Sequence, residues 1–287
     1  MNSEINHETI YIGLLGNPLR HSFSPALHNR TLQQLKTNAV YLPLEVEPAV
    51  LEIAVKAMGC YNFAGANVTI PFKEAVIPWL DELSPEAAEI GAVNVIKTVR
   101  GRGLIGHNTD VIGFLASLKD EKIEIEGKNA FIIGAGGAAR SAALSLAKSG
   151  LSNLEIYDVD ISKAGYLAQT VTQYAQGKTK VRVIDVIEPG YKLESDLAVN
   201  CSPVGMFPDL GQNPLDKVVY TSPDTVLYDM IYNPQETRFL EMGRKQGLKT
   251  INGLQMFVCQ AAYTLSVLLE VTPPISIMQR IMRDLLA

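Results

Sequence analysis

Ala130-Phe131-Ile132-Ile133-Gly134-Ala135-Gly136-Gly137-Ala138-Ala139 is the stretch on which the fold turns. Its first four residues are an unbroken apolar run, the pattern of a parallel strand buried on both faces. The next six fit G-x-G-x-x-[G/A] directly behind that strand. Gly134 permits a tight turn, Gly136 lets the backbone approach a pyrophosphate, and Ala139 lets helix and strand pack closely. A small-residue helix follows over residues 138–149, closed by Gly150. Its N-terminus offers free N–H groups and partial positive charge to phosphates. Gly134, Ala135, Gly136, Gly137 and Ala138 are therefore expected at a dinucleotide. The alternative is a glycine-rich turn that binds nothing.

The next strand, residues 154–157, ends at Asp158, which lies 158 − 134 = 24 residues past the first glycine. A carboxylate there accepts hydrogen bonds from ribose hydroxyls and repels a 2′-phosphate, so NAD is favoured and NADP remains possible. The same aspartate also suits a turn or a helix N-cap. Lys163 acts in the opposite sense, as a charge that partly neutralises a phosphate.

Outward from this block, short apolar runs alternate with helical patterns. Strands are predicted at residues 181–186, 197–200, 225–228 and 249–251 on one side, and at 11–15, 41–46, 65–70 and 94–99 on the other. Gly101-Arg102-Gly103 reads as a hairpin turn. Ser24-Pro25 is suited to start a helix over residues 26–35, with Ser24 as its cap. From about Gly253 the pattern is helical to the end, broken at Pro273-Pro274. The alternation predicts an α/β fold with parallel sheets in two domains. One is an N-terminal open α/β domain, and the other a Rossmann dinucleotide-binding domain. The strandless C-terminal helices pack back on one of them.

The bulk properties narrow the function. The chain has 287 residues, 47% hydrophobic and 19% charged, with a net charge of −5. That is globular material for two domains. Interspersed charges give no footprint for nucleic acid or an anionic membrane. Three cysteines, Cys60, Cys201 and Cys259, argue against a disulfide framework and fit a reducing compartment. No metal-ligand spacing occurs. The polar start, residues 1–9, lacks the basic and apolar regions of a signal peptide, and no apolar run is long enough to span a bilayer. A cytoplasmic protein with a small-molecule ligand is expected, as a monomer or a homodimer.

Three further segments are polar where a plain fold needs no polarity. They are His21-Ser22-Phe23-Ser24-Pro25, Gly65-Ala66-Asn67-Val68-Thr69-Ile70-Pro71-Phe72-Lys73, and Gly91-Ala92-Val93-Asn94 together with Asn108-Thr109-Asp110. Ligands of open α/β sheets bind at the carboxyl ends of strands. Hydroxyls and amides there suit a polyhydroxylated ligand, and Lys73 with Asp110 suits proton transfer. Each has a plainer role open to it. Ser24 can cap a helix, and both of its roles can coexist. Asn67 and Asn94 can satisfy loop backbone groups. Lys73 can be a solvated helix-start lysine, and Asp110 can cap a helix over residues 111–118. His21, His28 and His107 are read as structural.

These segments resemble the shikimate dehydrogenase family, including its quinate/shikimate branch. So do Gly134–Arg140 (GAGGAAR), Asn200–Met206 (NCSPVGM), Tyr228–Tyr232 (YDMIY) and Asn252–Ala262 (NGLQMFVCQAA). The resemblance covers roughly residues 11–267, with the motifs in the family's order. It implies NAD(P)-dependent, reversible reduction of 3-dehydroshikimate to shikimate, or of dehydroquinate to quinate. It implies that Ser22 and Ser24 hold the substrate carboxylate, with Tyr232 nearby. Asn67, Thr69, Asn94 and Gln260 would serve the ring, and Lys73 and Asp110 would flank the reacting carbonyl. Gly134–Ala138, Asp158, Lys163 and Met230 would line the dinucleotide, with Gly253 and Met256 near the nicotinamide. It further implies a substrate domain of residues 1–115 and 252–287, a Rossmann domain of residues 116–251, and a cleft between them. Two departures stand out. Asp158-Val159-Asp160 replaces the family's frequent Asn-Arg-Thr, which removes an arginine for the 2′-phosphate. Gln255 replaces the second glycine of Gly-Leu-Gly-Met.

Overall fold

The computed structural model describes residues 5–216 and 218–286, so the first four residues of the polar N-terminal segment lie outside the described part. The chain divides into two compact units. One runs to Gly113 and resumes at Val258, and the other spans Phe114–Phe257. Both crossings fall inside helices, so no Pro- or Gly-rich linker marks them. The junctions expected at 115/116 and 251/252 differ from them by a few residues.

The first unit is built from β1 (Ile10–Gly16), α1 (Ser24–Gln34), β2 (Ala39–Glu45), α2 (Leu51–Ala57), β3 (Phe63–Val68), β4 (Glu82–Leu83), α3 (Pro85–Ile90), β5 (Val95–Val99), β6 (Gly103–His107) and the start of α4 (Asp110–Asp120). Its sheet has the order β2-β1-β3-β5-β6-β4. β1 pairs in parallel with β2 and β3, whereas β3–β5 and β5–β6 are antiparallel. The expected hairpin is thus present, and the expectation of parallel sheets holds for only part of this unit. β1 is buried on both faces. Ile12 and Leu14 join one apolar cluster with Leu32, Tyr41 and Leu265, while Leu15 joins another with Leu51, Val55 and Phe72.

The second unit holds β7 (Asn129–Ile133), α5 (Gly137–Lys148), β8 (Asn153–Tyr157), α6 (Ile161–Ala175), β9 (Lys180–Ile184), β10 (Lys192–Leu193), β11 (Leu197–Asn200), β12 (Val219–Tyr220), β13 (Val226–Asp229), α7 (Arg238–Lys245) and β14 (Lys249–Ile251). Its main sheet runs β14-β13-β11-β7-β8-β9, and every pairing in it is parallel. β10 and β12 form a separate two-stranded ladder. The order reverses between β7 and β11, the switch point at which doubly wound sheets bind ligands. α5 lies against β7, and its Ala139, Ala142 and Ala143 are fully buried, which brings helix and strand close. α8 (Leu254–Leu269) and α9 (Ile275–Leu286) follow. α9 packs against α1, with Arg280 donating to Gln34 at 3.0 Å.

α1 corrects one expectation. Ser24 is its first residue, Phe23 is the N-cap, and no side chain caps it. Instead the Ser22 hydroxyl oxygen accepts from the Ser24 N–H at 3.3 Å. Among the described residues no helix is long and apolar enough to cross a membrane, and no group of three or more His, Cys, Asp or Glu is placed to hold a metal.

Candidate functional site

The polar segments of the first unit converge because of the hairpin. β1 and β3 end at the same edge of the sheet, where the chain continues to Ser22 and to Thr69 and Lys73. β5 runs antiparallel to β3, so Asn94 stands at its start on that edge, and β6 returns the chain there to Asn108, Thr109 and Asp110. The turn after β3 is held by the Thr69 N–H on the Leu15 carbonyl at 2.9 Å and by the Phe72 N–H on the Thr69 carbonyl at 2.9 Å. The Lys73 carbonyl accepts from the Val93 N–H at 2.7 Å, which ties the lysine to the strand carrying Asn94.

Lys73 Nζ lies 2.6 Å from Asp110 Oδ2, and the two side chains are 16% and 7% exposed. Asn94 Nδ2 donates to Asp110 Oδ1 at 2.9 Å and to Thr109 Oγ1 at 2.9 Å, while its Oδ1 accepts from the Thr109 N–H at 2.7 Å. Asn67 Nδ2 donates to the Asn94 carbonyl at 3.1 Å and to Thr264 Oγ1 at 3.0 Å, and its Oδ1 accepts from the Tyr41 hydroxyl at 2.8 Å. The plainer role foreseen for the two amides, satisfying backbone groups, is therefore present. Asp110 does not cap α4. Asn108 Oδ1 takes the N–H groups of Asp110 at 3.0 Å and Val111 at 3.4 Å, which leaves the Asp110 carboxylate for Lys73 and Asn94. Lys73 is not a solvated helix-start lysine.

A partly buried ammonium held by a carboxylate, at the rim of a sheet lined with hydroxyls and amides, can stabilise and protonate an oxyanion. Ser22 and Thr69 are half-buried, Ser24 is buried, and Gln260 is half-buried on α8. His28 and His107 do not enter this group. Burial lowers the His28 imidazole to about 3. Burial also lowers His107, with help from Lys97 and against Glu86. Both are neutral at ordinary pH.

In the second unit, Gly134 has φ +100°, and a Cβ there would stand 3.2 Å from the backbone of Cys201 and Ser202. A Cβ at Gly136 would meet nothing within 4 Å, so the loop's outer face is open to a ligand, as a pyrophosphate cradle requires. The Ala135 N–H is already spent on Asp158 Oδ2 at 2.7 Å, and Asp158 Oδ1 accepts from the Asp160 N–H at 2.8 Å. Asp158 is thus a turn aspartate that braces the glycine loop, with one lone pair on each oxygen remaining. Asp160, not Asp158, caps α6, accepting from Ser162 at 3.1 Å and Lys163 at 3.4 Å. Val159 is 93% exposed, and the Lys163 ammonium lies 3.8 Å from Asp160.

Met230 and Gly253 meet closely, since a Cβ on Gly253 would stand 2.1 Å from the Met230 carbonyl oxygen. Met256 is buried, and Tyr232 stacks on Phe257 at 4.3 Å. Gln255 directs its amide to the carboxylate of Asp120 at the end of α4. Behind these residues lies a buried carboxylate missed in the sequence. Asp229 accepts from Thr237 at 2.6 Å, from the Ile231 N–H at 3.0 Å and from Asn200 at 3.1 Å. Burial pushes it up to about 6 against those three hydrogen bonds. The Cys201 thiol beside it is raised by burial and then by Asp229. In the first unit Tyr41 and Thr264 were likewise missed as site groups, while Asn108 stood within a polar segment without a role of its own. Thr264 carried a usable signal, standing one helical turn after Gln260.

Residues 14–96 match the profile of the Shikimate dehydrogenase substrate binding domain. A relative named Shikimate dehydrogenase (NADP(+)) from Syntrophomonas wolfei subsp. wolfei is 46% identical over 278 residues, covering 96% of this chain and 95% of its own. Among solved structures, a shikimate dehydrogenase in complex with NADP+ aligns with a TM-score of 0.88 at 36% identity, covering 99% of this chain and 98% of its own. A shikimate 5-dehydrogenase from Listeria monocytogenes, in complex with shikimate and NAD, aligns with a TM-score of 0.83 at 30% identity over 98% of this chain and 99% of its own.

Proposed function

Since the chain belongs to the shikimate dehydrogenase family, we propose that it catalyses the reversible, nicotinamide-dependent reduction of 3-dehydroshikimate to shikimate. The observation that carries this reading is the Lys73–Asp110 pair at 2.6 Å, with Asp110 fixed by Asn94 on its other oxygen. Ser22 and Ser24 offer hydroxyls to the substrate carboxylate. Thr69 and Gln260 serve the ring hydroxyls, and Asn67 and Asn94, whose amide N–H groups are engaged within the protein, help position the ring. When bound, the nicotinamide supplies or takes up the hydride. As negative charge develops on the carbonyl oxygen, the Lys73 ammonium stabilises it and delivers the proton. In the oxidative direction the neutral amine takes the hydroxyl proton. Asp110 orients the lysine and hydrogen-bonds the same region of the ring.

The open face of Gly136 and the N-terminus of α5 would hold the pyrophosphate, and Asp158 the adenosine ribose. NAD is the favoured dinucleotide in this proposal. Val159 offers no cation to a 2′-phosphate, and Asp158 and Asp160 place two carboxylates beside it. The relative from Syntrophomonas wolfei carries NADP(+) in its name, so this chain would differ from it. Quinate is an additional substrate in the proposal, because the resemblance includes the quinate/shikimate branch of the family.

Purified protein assayed at the reduced-nicotinamide absorbance band, with shikimate and quinate each against NAD and NADP, tests both points. Turnover mainly with NAD is expected. Equal efficiency with NADP would remove the cofactor preference. No turnover in any of the four mixtures would remove the proposed reaction and leave a ligand-binding protein.

A further inference from the structure

We propose that Tyr41 is a positioning residue for the Lys73–Asp110 pair, acting through an unbroken chain of hydrogen bonds that runs from β2 to the lysine. The inference rests on the reaction proposed above. The chain has four links. The Tyr41 hydroxyl donates to Asn67 Oδ1 at 2.8 Å, and Asn67 Nδ2 donates to the Asn94 carbonyl at 3.1 Å. Asn94 Nδ2 donates to Asp110 Oδ1 at 2.9 Å, and Asp110 Oδ2 holds Lys73 at 2.6 Å. Tyr41, Asn67, Asn94 and Asp110 are all buried, so water does not compete for these links.

An amide has one acceptor and one donor end, and its partners decide which way it faces. Asn67 accepts from a group that is a donor here and donates to a carbonyl. The Asn94 carbonyl can only accept, so it fixes which end of the Asn67 amide faces it, and the Tyr41 hydroxyl holds the amide there by donating to its oxygen. Tyr41 in turn is held by two neighbouring residues of α1. Asn29 pins its backbone from α1, donating to the Tyr41 carbonyl at 2.8 Å and accepting from its N–H at 2.9 Å. His28, the preceding residue of α1, stacks flat on the phenol ring with centroids 4.2 Å apart and planes 3° from parallel. His28 is itself buried, and its Nδ1 makes no hydrogen bond. Its surroundings thus fit a neutral ring used as a flat wall. This gives the adjacent His28-Asn29 pair one common task.

Steady-state kinetics of Tyr41→Phe, with wild type in the same assay, test the inference. The substitution keeps the ring, the stack and the backbone pairing and removes only the first link. A buried acceptor left without its donor loosens both amides. The expected result is a fall in kcat/KM for shikimate of roughly tenfold, with KM raised and kcat lowered. The KM of the dinucleotide, bound through the other unit, stays unchanged. The melting temperature falls in either case, because the acceptor is left unpaired, whereas a purely structural defect would move both KM values together. His28→Leu leaves the hydroxyl in place and removes the wall, so it gives a smaller change of the same kind; it serves also where Tyr41→Phe fails to fold. Unaltered kcat/KM for shikimate in Tyr41→Phe, or equal changes in the two KM values, overturns the positioning role alone. An inactive wild type overturns the proposed reaction, and this inference with it.

Discussion

Lys73 has 16% of its side chain exposed and one carboxylate partner at 2.6 Å, an arrangement that holds the side chain in place while leaving a face for a ligand. Lys73→Met removes the proposed proton donor and leaves Asp110 with the Asn94 amide. We expect kcat to fall by about 10²–10⁴-fold, the usual worth of a positioned general acid. Dinucleotide binding, measured by fluorescence titration, stays at the wild-type level, because the glycine loop belongs to the other unit. Retained activity within tenfold would assign the proton transfer elsewhere. Lys73 and Asp110 were legible in the sequence because a charge bordering an apolar strand demands a reason. Tyr41 was not, because a phenol within a strand is indistinguishable from core packing until its hydroxyl is placed against Asn67. Gln255 was visible only as a departure. Its amide turns to Asp120, so the replaced glycine is met by a surface contact.

At the scale of elements, turn chemistry was more readable than helix starts. Gly101-Arg102-Gly103 announced the β5–β6 hairpin, and that hairpin brings Asn94 and Asp110 to one edge. Ser24 before Pro25 had the residues of a cap, yet the helix begins at Ser24 itself and the Ser22 hydroxyl serves the turn. α3 was overlooked although Ser84 caps it from the Ala87 N–H at 3.2 Å and Gly91 closes it, because six residues show too little periodicity. The turn from β14 into α8 carries its own test. Gly253 approaches the Met230 carbonyl so closely that an added methyl group would sit 2.1 Å from the oxygen, and a backbone atom cannot swing aside as a side chain can. Gly253→Ala must therefore shift the Met230–Ile231 segment. The expected cost is about 2 kcal/mol, seen as a melting temperature lowered by roughly 4–8 °C. An unchanged melting temperature would mean that the turn relaxes freely.

Over the whole molecule, the second unit was the easier to read, since one glycine loop behind one buried strand implies a doubly wound parallel sheet. The first unit mixes parallel and antiparallel pairing, which no run of residues declares, and its helical completion by α8 and α9 depends on contacts between distant segments. The two units also differ in how they answer acid. His28, in the first, is buried neutral with its pKa lowered from 6.5 to about 3. The unfolded chain binds that proton first, so the stability from His28 is full above about 6.5 and is lost as pH falls toward 3. Asp229, in the second, has its pKa raised from 3.8 to about 6. Here the folded chain binds the proton first, so the stability is full below 3.8 and is lost as pH rises through about 6. Between pH 4 and 6 the two contributions therefore have opposite slopes, each on the order of 1–3 kcal/mol across the window. Asp229→Asn keeps an acceptor for Asn200 and for the Ile231 N–H but cannot titrate, so its melting temperature should rise more steeply with pH than that of wild type. His28→Leu should give the shallower curve. Scanning calorimetry at half-unit steps from pH 4 to 6.5 separates the two, and an Asp229→Asn curve parallel to wild type would show that this carboxyl is ionised throughout the range.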